Sequence, residues 1–451
     1  MCISLKSIRE ALTSSKKNKL MKFYSTNNPG HQVDLAEAVI KGLAPDQGLY
    51  MPEEIPVLSK ELLDKFPEMT FQEIGYEVIG ALFSTALSQE QIKELVDHTL
   101  TFDAPLVKVE EDVYSLELFH GPTLAFKDFG ARFCSKLMSM LMEKSDRKVR
   151  VLVATSGDTG SAVANGFLGV DGVEVIILFP KGKVSELQEK QFTTLGQNIT
   201  SLEVDGVFDD CQRMVKEAFL DVELNEKLLL TSANSINVAR WMPQCLYYFY
   251  AFSRLPKNDK KAAFAVPSGN FGNIAAGILA QKMGLPIAHF VAATNVNKIV
   301  PDYLQGGLFA AKPSIATISN SMDVGNPSNF PRLLALYDND DQELKSQVSG
   351  CFYSDEETVK AMQSVKEKGY TMDPHGAVGY LGLKDFMAKN PDYQGVFLET
   401  AHPGKFRETV EKALDLTLTL PERLAAFMDG KKKVEALGND FEEFKAYLKS
   451  L

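Results

Sequence analysis

VRVLVATSGDTGS, residues 149–161, sets the fold: a six-residue run rich in valine meets a glycine-rich polar loop, and a helical pattern follows. A strand that is apolar at consecutive positions has both faces covered, which is the mark of a parallel sheet joined by helical crossovers. The same signature recurs in VEVIIL at 173–178, ITSLEV at 199–204, LLLTSA at 228–233, AAFAV at 262–266, IAHFVAA at 287–293 and GVFLET at 395–400. Helical stretches such as SELQEKQFTTLG and GNIAAGILAQKMG lie between them and stop on Gly196 and Gly284. The pattern predicts an α/β fold with mostly parallel sheets. In such folds ligands sit beyond the carboxyl ends of the strands, so the loops there carry the argument.

Three of those loops are rich in glycine and small polar residues: TSGDTGS at 155–161, SGNFGN at 268–273 and TAHPG at 400–404. Each follows a strand and opens a helix, where free N–H groups and the positive end of the helix dipole favour an anion. One such loop alone is more simply a tight turn; two in one chain point to two anionic groups. Neither the Walker pattern nor G-x-G-x-x-G is present, so nucleoside triphosphates and dinucleotides lose support.

The segment LELFHGPTLAFKDFGARF at 116–133 places Lys127 among Leu124, Ala125, Phe126 and Phe129, just before a helix expected to begin near Gly130. Desolvation there would depress the ammonium and leave a usable imine-forming amine. The alternative is a lysine whose stem packs on hydrophobes while its head reaches water or pairs with Asp128.

The remaining composition bounds the function. A chain of 451 residues has room for two or three cores and an interdomain crevice. No apolar run approaches the roughly 20 residues of a membrane helix, and the opening 20 residues lack the apolar core of a secretory signal. A cytoplasmic protein is expected. The net charge of −11 argues against nucleic acid and anionic membranes as partners. Cys2, Cys134, Cys211, Cys245 and Cys351 form no C-x-x-C pair, so no metal or disulfide framework is expected. Residues 1–20 read as an extension, 21–100 as a mainly helical N-terminal domain with a capping box at Ser88 and Gln91, and 101–451 as the region of alternating strands and helices.

F-H-G-P-T-L-A-F-K-D-F-G, T-S-G-D-T-G, N-S-I-N-V-A-R, S-G-N-F-G-N and L-E-T-A-H-P together resemble threonine synthases of the longer bacterial and fungal type, which are fold-type II pyridoxal-phosphate (PLP) enzymes. The motifs run in family order from residue 22 to about 420, and KFYSTNNPGHQVDLAEAVIKGLAPDQGLYMPEEIP resembles the family's N-terminal domain. The resemblance implies two mostly parallel sheets with helices on both faces, as in the tryptophan synthase β chain, and makes 101–451 the PLP-dependent catalytic region, with a small subdomain at about 131–235 within a large one. It makes Lys127 the catalytic lysine that bonds PLP. It assigns the PLP phosphate to Gly269, Asn270, Phe271, Gly272 and Asn273, and the pyridine nitrogen to the Thr400 hydroxyl.

Ser156, Gly157, Asp158 and Thr159 match the loop that grips the substrate α-carboxylate, although related enzymes often carry asparagine where Asp158 stands. Asn234, Ser235 and Arg240 match the substrate-phosphate set; read without the resemblance, the first two cap a helix and Arg240 lies on its solvated face. Lys181 and Lys183 are further anion contacts or plain surface lysines. His120, His375 and His402 are given no chemistry. The implied reaction turns O-phospho-L-homoserine and water into L-threonine and phosphate. A related phospho-lyase, which would release 2-oxobutyrate, shares every motif, and the expected state is a monomer or homodimer.

Overall fold

The computed structural model describes residues 21–142 and 148–451, so the expected extension at 1–20 and Cys2 lie outside the described residues. Two sheets dominate. The larger has the strand order Val348–Phe352, Ile287–Thr294, Lys261–Pro267, Tyr393–Glu399, Val113–Glu117, Leu106–Glu110, parallel except for the last pair, an antiparallel hairpin. The smaller runs Glu435–Leu437, Ile199–Val204, Val173–Pro180, Val149–Ala154, Leu229–Ser232, all parallel. Every residue of Val149–Ala154 is buried, as a strand covered on both faces requires.

All seven apolar runs are strands. Other strands carry weaker signals. Leu106–Glu110 has no fully buried residue, and Glu435–Leu437 is largely exposed. The latter reaches the smaller sheet from the C-terminal end of the chain, outside the span of 131–235 expected for the small subdomain.

The N-terminal region is helical at Leu35–Lys41, Phe71–Phe83 and Gln89–Thr99, and Ser88 and Gln91 form the reciprocal capping box. It also contains a three-stranded antiparallel sheet with Phe23–Ser25 between Gln32–Val33 and Tyr50–Pro52. Strands of two or three residues are too short to show a period, which is why the sequence pattern conceals them.

This region supports the helix Lys127–Met142. Phe71 stacks on Tyr250 with centroids 4.3 Å apart and meets Phe129 at 5.9 Å, and Phe83 lies 5.9 Å from Phe133. On another side the helix meets the short helix Val238–Trp241 so closely that a Cβ on Gly130 would stand 2.3 Å from the Arg240 carbonyl oxygen. Gly130→Ala is therefore expected to destabilise the chain by about 1–3 kcal/mol through overpacking, read as a lower urea midpoint with an unchanged slope.

Candidate active site

The helix that carries Lys127 begins at Lys127 itself, earlier than the sequence pattern suggests. Asp128 explains the difference: its carboxyl accepts the Thr123 N–H at 2.8 Å and the Thr123 hydroxyl at 2.6 Å, fixing the preceding loop. Leu124 adopts a left-handed φ of 57°. Two backbone bonds then tie this loop to the end of Tyr393–Glu399, from Phe126 N–H to the Thr400 carbonyl at 2.9 Å and from His402 N–H to the Leu124 carbonyl at 3.0 Å. Lys127 and Thr400 are thereby held on one patch of backbone.

One cavity of about 730 Å³ collects the candidates: Lys127, Ser156, Asp158, Thr159, Asn234, Ser235, Arg240, Gly269, Asn270, Phe271, Gly272, Asn273 and Thr400 all line it. Gly157 is the exception. Its N–H donates to Thr155 Oγ1 at 3.0 Å, and its φ of 141° and the Gln188 side chain, 2.7 Å from where a Cβ would sit, make it a turn-former. Lys181 and Lys183 are exposed and do not line the cavity.

Lys127 Nζ lies 3.5 Å from Asp158 Oδ2 and 4.9 Å from the centroid of the Phe126 ring. Its partner is thus Asp158, not Asp128. Burial pushes its ammonium below the ordinary lysine range, Asp158 opposes that, and Lys405 and Arg240 push the same way as burial. Asp158 also accepts from Lys405 Nζ at 2.7 Å, Gln188 Nε2 at 2.9 Å and Ser321 Oγ at 3.2 Å. Burial alone would raise the Asp158 carboxyl, but Lys405 first and Lys127 second outweigh it and hold the group well below the usual carboxylate range.

In N-S-I-N-V-A-R the helix cap is Asn237, whose side chain accepts the Ala239 N–H at 3.0 Å, so neither Asn234 nor Ser235 is spent on capping. Arg240 is only 3% exposed, which removes the solvated-face alternative. One of its terminal nitrogens donates to the Ala233 carbonyl, while its Nε and the Asn234 Oδ1 are buried with no protein partner. Burial brings the guanidinium down to about 10. Ser235 is braced from behind: its hydroxyl accepts from Asn329 Nδ2 at 2.9 Å and its carbonyl from the buried Arg332 at 2.8 Å.

In S-G-N-F-G-N the side chains brace the loop. Asn273 donates to the Pro267 carbonyl at 2.8 Å, and Asn270 Oδ1 accepts the Ser328 hydroxyl at 2.9 Å. What remains for an anion are the amides of Gly272 and Asn273 at the start of Gly272–Lys282, since the Ile274 N–H is taken by Asn273 Oδ1 at 3.0 Å and the Ala275 N–H by the Phe271 carbonyl at 3.1 Å.

Lys405, Ser321, Gln188 and His375 escape a reading by motif. Lys405 stands one residue beyond the T-A-H-P-G turn, so its position was a usable signal. His375 lines the cavity and accepts the Ser321 N–H at 3.2 Å, while its other ring nitrogen meets Asp373 at 2.5 Å. His120 pairs with Glu117 at 2.8 Å, and His402 caps the turn at Gly404, with burial pushing it down to about 4.

A buried amine, a helix N-terminus with free amides, a threonine hydroxyl and a guanidinium with an unpartnered nitrogen fit PLP and a second phosphate in one cavity. The comparisons agree. A family described as pyridoxal-phosphate dependent enzyme matches residues 99–396, threonine synthase N terminus matches 22–100, and threonine synthase, C-terminal, matches 376–448. The chain is 46% identical over 429 residues to the threonine synthase of Haemophilus influenzae, covering 95% of this chain and 99% of that one. The crystal structure of threonine synthase from Escherichia coli superposes with a TM-score of 0.90 at 43% identity, over 95% of this chain and 99% of that one. PLP-bound threonine synthase from Brucella melitensis gives 0.88 at 34% identity, over 95% and 99%. The cofactor is pyridoxal 5′-phosphate, and the chain belongs to the threonine synthase family of fold-type II PLP-dependent enzymes.

Proposed function

We propose that Lys127 is the residue through which this chain, a PLP-dependent lyase acting on a phosphate ester, converts O-phospho-L-homoserine and water to L-threonine and phosphate, closing threonine biosynthesis. The observation that carries the assignment is the meeting of Lys127, Thr400, the 268–273 loop and Arg240 in one cavity. PLP supplies the electron withdrawal that makes protons at the substrate's Cα and Cβ removable. Burial favours the neutral amine of Lys127, the form that accepts a proton there, and Asp158 beside it receives the resulting ammonium. Asn234, Ser235 and Arg240 bind the substrate phosphate and stay with it as it departs, so their hold strengthens as charge gathers on the leaving oxygen. Ser156 and Thr159, with backbone amides of their loop, orient the α-carboxylate.

Thr400 presents a neutral hydroxyl to the ring nitrogen. The adjacent carboxyl, Glu399, is pushed well above its usual range by burial and then by Asp373, which disfavours a negative charge there. The first turn of Gly272–Lys282 takes the PLP phosphate. Residues 21–100 serve as a domain whose Thr26, Asn27 and Leu49 wall one side of the cavity, and 101–451 as the catalytic region. No helix among the described residues is long and apolar enough to cross a membrane. A small-molecule enzyme of the cytoplasm, with no nucleic-acid partner, fits that and the net charge of −11.

The phospho-lyase alternative is not favoured, since the matched relatives are threonine synthases. Incubation with O-phospho-L-homoserine is expected to release threonine and phosphate in equal amounts. 2-Oxobutyrate as the main organic product would overturn this assignment.

A further inference from the structure

We propose that Asp158 and Lys405 form a buried charge pair that sets when Lys127 gives up its proton: Asp158 holds the proton on the Lys127 nitrogen, and Lys405 limits that hold. The inference rests on Lys127 being the cofactor lysine and gives Asp158 a role other than contact with the substrate α-carboxylate, which another carboxylate would repel.

The geometry divides Asp158 between two ammonium groups. Oδ2 faces Lys127 at 3.5 Å and Ser321 Oγ at 3.2 Å, while Oδ1 takes Lys405 at 2.7 Å and Gln188 at 2.9 Å. The tighter bond goes to Lys405, which also donates to the Thr123 carbonyl at 2.9 Å and whose side chain is fully buried. Lys405 is thus held by two oxygens on separate segments. The carboxylate is anchored independently of Lys127, and it stays paired whenever Lys127 is bonded elsewhere.

Other charges face the cluster from each neighbouring element. Arg240 adds positive charge from the 234–240 segment, and Asp128 is turned towards Thr123. Burial lowers His402 to about 4, which disfavours its charged form, and His375, which lines the same cavity, accepts the Ser321 N–H. Asp158 is the carboxylate in direct contact with Lys127. Because the pair lies away from water, salt screens it little.

The two partners therefore act with opposite sign. Asp158→Asn removes the charge that retains the proton, and Lys405→Met removes the charge that weakens that retention. A purely structural role for the pair would give shifts of one sign or none.

The test is a pH titration of the visible absorption band of each holoenzyme, with borohydride reduction and peptide mass analysis alongside. In Asp158→Asn the midpoint should fall by about 1–3 pH units, the usual effect of one opposite charge at this range. In Lys405→Met it should rise, and Lys405→Arg should restore the wild-type midpoint. Shifts in the same direction, or an unmoved midpoint in Asp158→Asn, would overturn the proposal. If Lys405→Met does not fold, the near-isosteric Asp158→Asn decides alone. A reduced adduct on a lysine other than Lys127 would instead defeat the assignment on which the inference rests.

Discussion

Lys127→Ala is expected to give a folded chain that retains no covalent PLP and turns over O-phospho-L-homoserine at least about 10³-fold more slowly, within the range that proton transfer by one positioned side chain contributes. Folding should survive because Asp158 keeps Lys405 and Gln188 as partners when Lys127 is gone, so no buried carboxylate is orphaned. The helix start is held by Asp128 and Thr123, which the substitution does not touch. Borohydride reduction followed by peptide mass analysis checks the result. Lys405 is the competitor to watch, as a fully buried lysine on the same carboxylate. An adduct there would move the chemistry to the other lysine paired with Asp158.

Arg240→Ala should lower kcat/KM by about ten- to a hundred-fold or somewhat more, since a hydrogen bond to a charged group contributes roughly 1.5–3 kcal/mol and each 1.4 kcal/mol is a factor of ten. PLP occupancy should barely change, because the cofactor phosphate is assigned to backbone amides of the 268–273 loop. The placing of Arg240 motivates the expectation: a guanidinium that lines the cavity while only 3% exposed is organised for an anion. If charge grows on the departing phosphate, kcat falls together with binding. The comparison to make is PLP retention against turnover in the purified variant. Loss of PLP with unchanged affinity for substrate analogues would show that the two phosphate sites have been exchanged, and wild-type turnover would remove Arg240 from the site.

The sheets were legible because strands buried on both faces write continuous apolar runs, as VRVLVA and IAHFVAA do. Phe23–Ser25 and Gln32–Val33 were not, since two or three residues carry no period. The site divided in the same way. Lys127, the 155–161 and 268–273 loops and the 234–240 segment announce themselves by local composition. Lys405 borders the T-A-H-P-G turn, but Gln188 and Ser321 are ordinary residues in their own surroundings, and only the fold sets all three around Asp158. Arg240 shows the same limit from the other side: its helical position is compatible with solvent, and its 3% exposure follows from the contact at Gly130.

The two bonds that join Phe126 to Thr400 and His402 to Leu124 use main-chain groups alone. Most side-chain substitutions at these four positions leave the bonds in place; the exceptions are proline at the two donors and, at Leu124 with its φ of 57°, proline or a β-branched residue. The alignment between the lysine and the ring contact is therefore sheltered from most mutational drift. The phosphate grip proposed here would be built instead from the side chains of Asn234, Ser235 and Arg240, each open to change by one substitution. A lineage using this scaffold can accordingly diverge in what it accepts while inheriting its cofactor chemistry intact.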